Sequence, residues 1–340
     1  MGLQIDQQQI LVAWKALSST DNHEGWGVFP LYKHRNWSLL ASYNLSEHEE
    51  AIFLDIKYSQ TYESRISLPV AQGFRVQRFN EETRKGFALI RQVDGDLDLF
   101  TKIIVDVCNT IIQYQELNEN KLVAVFINRI NAWLSFMSKG GHELSQEAEL
   151  GLIGELEMIS SLISLNLPIS EVLNTWKGPL DGLKDFEIGS GAIETKSTLS
   201  NQGFIAKINS LEQLDDSEKS PLFLNGYRFS LGSAGKTLTE RINLIREQLN
   251  DYPAELTKFN NLLLRNGYLE SEKENYTRKF KTEHTYFWWV DEKFPRLVPG
   301  NIAVNIRQAK YEIDLTPFIN QSMDLSLVLQ KLGIGNCGIN

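Results

Sequence analysis

Cysteine is nearly absent from this chain of 340 residues: Cys108 and Cys337 stand far apart, and no C-x-x-C occurs. Neither a disulfide framework nor a zinc knuckle is expected, and a reducing cytoplasm fits. The five histidines, at 23, 34, 48, 142 and 284, have no metal-ligand spacing to one another. Ser-His-Asp or Cys-His wording that would support nucleophilic catalysis is missing. So is any apolar run long enough to span a bilayer, and no membrane partner is expected. MGLQIDQQQ lacks the basic-then-apolar order of a secretory signal, and Asp6 stands where a myristoylation signal needs Ser or Thr. Basic excess is also missing. The formal net charge of −9 runs against a broad nucleic-acid-binding surface and leaves room for a local basic groove only. There is no repeat and no low-complexity tract.

What remains is an ordinary globular composition, 42% hydrophobic and 23% charged, with length for two or three subdomains. Residues 6–19 read as an amphipathic helix. Trp37–Tyr43, Ala51–Tyr58, Arg65–Pro69, Phe74–Phe79 and Gly86–Gln92 read as short strands, giving a β-rich subdomain over 1–94. Arg75, Arg78, Arg84 and Lys85 lie there among Phe74 and Phe79; either they meet a nucleic-acid backbone or they form the solvated face of a small sheet. Asp96–Glu116 and Leu122–Ser138 have helical periodicity and are expected to connect, over 95–139, to a core at 140–252. A helical and β-rich extension fills 253–340, with strands at the aromatic TYFWWVDEKFPRL, Ile302–Val304 and Lys310–Leu315 and a helix at Leu325–Leu332.

The core centres on WKGPLDGLKDFEIGSGAIETKST, residues 176–198. Lys184–Ile188 and Ala192–Ser197 read as two strands joined at Gly189-Ser190-Gly191. A two-residue turn at Ser190-Gly191 sets Asp185 opposite Lys196 and Glu187 opposite Glu194, with all four charges on one face. Like charges directly opposite destabilise a sheet. A divalent cation between the carboxylates removes the conflict, and Mg²⁺ suits oxygen ligands and substrate phosphate. Upstream, in the helix 144–165, Ala148, Leu152, Ile159 and Leu162 mark an inward stripe, and Glu155 falls on it. An inward carboxylate is costly unless it is paired or metal-bound. Glu157 lies off the stripe and reads as solvent-facing.

Two further stretches invite chemistry. Gly232-Ser-Ala-Gly-Lys-Thr237 between a strand and a helix has the order of a phosphate loop, yet Ser230 stands where its first glycine belongs. The default is a loop that starts the helix 238–249. Lys273–Lys281 carries Arg278, Lys279 and Lys281 beside Tyr276 and Phe280, and is the best electrostatic candidate for a phosphate track. Gln213 or Gln202 could touch the substrate backbone; spacing does not separate them.

Asp185 followed by Glu194-Thr195-Lys196 resembles the signature of the PD-(D/E)XK nuclease superfamily. GLIGELEMISSLI, then WKGP, DF and IETK, and later FPRLVPGNI and KYEIDL, are similar to a bacterial restriction- and defence-associated family of that superfamily. The Pro-Asp pair is not contiguous here: Asp185 follows Lys184, and Pro179-Leu180-Asp181 offers a competing aspartate. The resemblance implies an α/β (α+β) restriction-endonuclease-like fold, a central mixed sheet flanked by helices. It implies a Mg²⁺-dependent deoxyribonuclease, with Mn²⁺ as an alternative. Asp185, Glu194 and Glu155 would hold the metal, and Lys196 would act on the attacking water. DNA is the implied substrate, other defence-system proteins the implied partners, and a homodimer one assembly it allows. The competing reading is a non-catalytic module that binds DNA or a partner within a defence complex.

Overall fold

Asp6 opens the first helix as a capping box: its carboxylate accepts from the Gln9 N–H, and the Gln9 side chain returns to the Asp6 backbone. The computed structural model describes residues 4–20, 25–56, 67–80 and 84–335. They form two units, Met1–Gly140 and Gly141–Asn340. The first holds α1 (Gln7–Ser18), strands β1 (Trp26–Lys33), β2 (Trp37–Asn44), β3 (Glu49–Ile56), β4 (Phe74–Asn80) and β5 (Lys85–Arg91), then α2 (Leu97–Gln113) and α3 (Glu119–Ser138). The strands form an antiparallel sheet in the order β1-β2-β3-β5-β4. Trp14 stacks on Phe100 and Phe87 meets Phe126, so the helices share this unit's core.

Strand β1 is absent from the sequence reading. Its Pro30 cannot donate to a ladder, and the strand solves this at the sheet edge with a register shift between Pro30 and Tyr32. The strand expected at Arg65–Pro69 begins outside the described residues, and 67–69 are not extended into the sheet. Two of the basic residues of this sheet are engaged: Arg75 pairs with Glu49 at 2.6 Å, and Arg78 lies over the Phe87 ring.

The second unit contains α4 (Gln146–Ser164), α5 (Ile169–Thr175), β6 (Phe186–Ile188), β7 (Gly191–Thr198), β8 (Ile205–Ile208), β9 (Leu222–Lys236), α6 (Leu238–Gln248), α7 (Pro253–Arg265), β10 (Phe280–Trp289), β11 (Tyr311–Asp314) and α8 (Leu325–Lys331). The expected mixed sheet is present, in the order β10-β9-β7-β6. Strands β7 and β9 run parallel, and the outer pairings are antiparallel. Alternation sorts the side chains. Ile193, Phe223 and Phe287 face a core with Leu152 and Ile159 of α4, Ile242 of α6 and Phe259 of α7. Ala192, Leu222, Leu224 and Trp288 face a second core, covered by Phe204, by Ile208 of β8 and by Ile313 of β11.

The glycine-rich stretch is strand, not loop. β9 runs through to Lys236, and a Cβ on Gly235 would collide with the Phe280 backbone of β10. Thr237 caps α6, its hydroxyl accepting from the Glu240 N–H. Gly235 serves close strand pairing. Residues 302–304 form no strand; Pro299–Asn301 makes a 3-10 turn instead, and Val304 is exposed. Among the described residues, no helix is long and apolar enough to cross a membrane.

Candidate active site

The hairpin of β6 and β7 turns at Gly189-Ser190, one residue earlier than expected, because two glycines are fixed from outside. Gly189 has φ 55°, and a Cβ there would collide with the Leu332 carbonyl just after α8; the Ser190 N–H donates to that oxygen at 2.9 Å. A Cβ on Gly191 would strike the Pro221 carbonyl. The register is therefore Phe186↔Ile193 and Glu187↔Ala192. Extended by one residue it sets Asp185 across from Glu194, not from Lys196. The shift is two residues, so the shared face survives. Glu187 does not meet Glu194. It pairs with Lys219 at 3.2 Å.

Helix α4 rests on β7 through Gly154, where any Cβ would collide with the Ser197 hydroxyl. That approach carries the next residue, Glu155, to the hairpin. The stripe begins at Leu152; Ala148 is exposed. The Trp176 indole donates to Glu155 Oε2 at 2.6 Å, and the Asn266 amide donates to the same oxygen at 3.3 Å. The Lys177 and Gly178 N–H groups donate to the Asp185 carbonyl, at 2.7 and 3.2 Å. A Cβ on Gly178 would lie 3.2 Å from both Asp185 Oδ1 and Glu155 Oε2. The W-x-G-P stretch thus shapes the site residue by residue. Trp176 holds one carboxylate, Gly178 leaves room for two, and Pro179 starts the turn. Asp181, the competing aspartate, sits in the left-handed region at φ 59° where that turn ends.

Asp185 Oδ2 accepts the Thr195 N–H at 2.8 Å. Glu194 is 2% exposed, and its Oε1 accepts from Lys196 Nζ at 2.8 Å. Lys196 also donates to Gln213 Oε1 at 3.1 Å. A family model described as "Putative PD-(D/E)XK family member, (DUF4420)" matches residues 10–316. The chain belongs to that family. No curated protein and no solved structure matched it.

Burial raises the Glu155 carboxyl of this PD-(D/E)XK member to about 7, with the Glu194 charge adding to the rise and the Trp176 and Asn266 donors and Lys196 opposing it. Burial likewise drives Asp185 well above the carboxylate range, reinforced by Glu194 and Glu155. Burial alone would lower Lys196, but Glu194, Asp185 and Glu155 outweigh it and hold the ammonium above its ordinary value. The close approach of the carboxylates thus raises the cost of ionising Glu155 and Asp185. Hard oxygen donors in this state suit a divalent cation, whose charge would offset the repulsion. Among the described residues, no three His, Cys, Asp or Glu side chains are already gathered round one point as a ligand set.

Gln213, expected at the substrate backbone, instead accepts from Lys196 and from the Asn209 N–H. Buried Lys184 donates to the carbonyl of Glu212, the residue before it, and so pins the segment that steadies Lys196. Burial lowers the Lys184 pKa. Sequence reasoning missed Lys184, Trp176 and Asn266 as supports. Asn266 is 111 residues from Glu155, and nothing local marks it.

The basic run divides. Arg278 is not available to phosphate: its guanidinium grips buried Glu149 at 2.5 and 2.8 Å and donates to the Gln146 carbonyl, tying the segment before β10 to the start of α4. Lys279 faces Glu240 at 3.8 Å, and Lys281 faces Glu283 at 3.1 Å; both lie at the surface. Glu157, read as solvent-facing, pairs with Arg241 of α6. Arg278→Ala should therefore act on stability. Leaving the buried Glu149 acceptor unmatched costs about 1–3 kcal/mol or somewhat more, to be read as a lower urea midpoint at unchanged salt dependence of DNA binding.

Gly178→Ala tests the space between the carboxylates. The fold should persist, since nothing but side-chain oxygens lies closer than 3.4 Å to the new methyl. Displacing those oxygens should weaken Mn²⁺ binding by about 10–100-fold, the usual effect of disturbing the support of a metal site, as measured by titration calorimetry.

Proposed function

We propose that this PD-(D/E)XK member is a Mg²⁺-dependent deoxyribonuclease of the restriction or defence type, acting in the cytoplasm as an endonuclease on DNA phosphodiester bonds. One observation carries the reading: Asp185, Glu194 and Lys196 share a strand-pair face, and α4 brings Glu155 to the same buried place. Asp185 and Glu194, with Glu155, would hold Mg²⁺, or Mn²⁺ in its stead. Bound there, the ion supplies charge neutralisation and a lowered pKa for water. The chain's own groups do the rest. Trp176 and Asn266 aim Glu155, and the Thr195 N–H fixes Asp185. Lys196 stays an ammonium, so it stabilises negative charge that develops on the phosphate and orients water by donating to it.

The purified protein should cut DNA in Mg²⁺ or Mn²⁺ and not in EDTA. Ca²⁺ should support DNA binding with little cutting, because it accepts the same oxygen ligands in a larger and less rigid shell. The second reading, a non-catalytic module that binds DNA or a defence partner, draws on the saturated state of Lys196, whose ammonium is taken by Glu194 and Gln213, and on the net charge of −9. Absence of cutting with every metal, substrate and partner supplied would favour it.

A further inference from the structure

The cations of this unit mostly face carboxylates: Lys196 faces Glu194, Arg278 faces Glu149, Arg241 faces Glu157, Arg246 faces Glu270 and Arg296 faces Asp216. Lys258 departs from this pattern. Lys258 of α7 donates to the neutral amide oxygen of Asn174, and the charge that influences it most is another cation, Lys177. Burial lowers the Lys258 pKa, Lys177 lowers it further, and Glu255 only partly restores it. Because Lys258 donates to Asn174, three residues before Lys177, the two lysines are neighbours in the fold.

Their location gives the juxtaposition meaning. Lys177 is one residue from Gly178, the residue against which the Asp185 and Glu155 oxygens lie. Its own N–H is bound to the Asp185 carbonyl at 2.7 Å. Helix α7 packs against the turn Gly178–Leu180, and its next residue beyond the helix, Asn266, holds Glu155. The lysine pair is therefore built into the same frame as the carboxylates. Arg265, two turns on from Lys258, has the Asp181 charge nearby and is not counted with the pair.

We propose that Lys177 and Lys258 form the phosphate-contacting track that leads nucleic acid to the Asp185–Glu155 site, in place of the basic run at 273–281. The inference rests on the nuclease reading and narrows it to two residues. The occupant is a nucleic-acid backbone, since two neighbouring cations beside a carboxylate site match consecutive phosphates flanking the one to be cut. Such contacts add affinity without sequence preference and release counterions.

The test is the salt dependence of DNA binding in Ca²⁺, for the parent, for Lys177→Ala/Lys258→Ala, and for Lys279→Ala/Lys281→Ala as a control with equal charge change. Thermal melts of all three verify the fold. The lysine-pair variant should bind every sequence more weakly to a similar degree. Its plot of log affinity against log salt should flatten by ~1.8, at ~0.9 per lost phosphate contact. The control should keep the parent's slope. A parent slope in the lysine-pair variant, or an equal flattening in the control, overturns the track and leaves the nuclease reading standing. A parent that binds no DNA at low salt overturns both. If the double variant melts early, the single variants Lys177→Gln and Lys258→Gln, each expected to flatten the slope by ~0.9, decide in its place.

Discussion

Lys196→Ala is expected to lower Mg²⁺-dependent DNA cleavage by ~10²–10⁴-fold while DNA binding in Ca²⁺ is kept. The substitution removes the cation that donates to Glu194, and none of the three carboxylates. Metal binding should survive and even tighten, since the ammonium no longer competes for Glu194 Oε1. What is lost is a fixed positive donor at the place where charge grows on the transferred phosphate. Burial makes that loss large, because a charge acts more strongly where water is excluded. Lys196→Arg should recover little: a planar fork does not reproduce a compact ammonium held between Glu194 and Gln213. A variant that cuts at the parent's rate would remove Lys196 from the chemistry and support the non-catalytic module.

The second large effect is a trade between stability and activity at Asp185. In EDTA, the parent carries two carboxyls whose folded pKa values lie above their unfolded ones, Glu155 near 7 against 4.5 and Asp185 well above 3.8. Between those limits the folded state binds more protons than the unfolded state. Stability is then complete at low pH and falls as pH rises through about 4.5 to about 7. The metal-free parent should melt lower at pH 8 than at pH 5.5, so far as this site governs the change, and Mn²⁺ at pH 8 should restore the loss. Asp185→Asn removes one of the repelling charges. It should melt above the parent at pH 8 in EDTA, show a weakened rise with Mn²⁺, and lose cleavage. Glu155→Gln should flatten the same stretch of the pH curve. A parent whose melting point climbs from pH 5.5 to 8 without metal, with Asp185→Asn climbing in parallel, would contradict this assignment.

What could be read from the chain beforehand was local. Asp185, Glu194 and Lys196 fall on one strand-pair face because a period of two needs only neighbouring residues. Glu155 is legible for the same reason at helical spacing, since Leu152 and Ile159 mark its face. The mixed sheet and flanking helices follow from such patterns. What stayed hidden was set at a distance. The register depends on Leu332 and Pro221 pressing on two glycines. The fate of Arg278 depends on Glu149, 129 residues away, and buried Glu149 in turn looks like surface charge until its partner is known. Gly235 reads as part of a flexible loop until Phe280 is seen against it. Lys177 and Lys258, 81 positions apart by their numbers, share no motif at all.

The Ser190 bond to the Leu332 carbonyl spans 142 positions, and this has a bearing on the order of synthesis. A ribosome completes the carboxylate hairpin long before it reaches residue 332. Until then Gly189 and Ser190 lack the contact that completes the register of the turn, and Pro221, pressing on Gly191, holds it from outside. A nascent chain therefore carries Asp185 and Glu194 without the clasp that aligns them. The full clasp on the carboxylate hairpin is complete only after α8 has been made and docked.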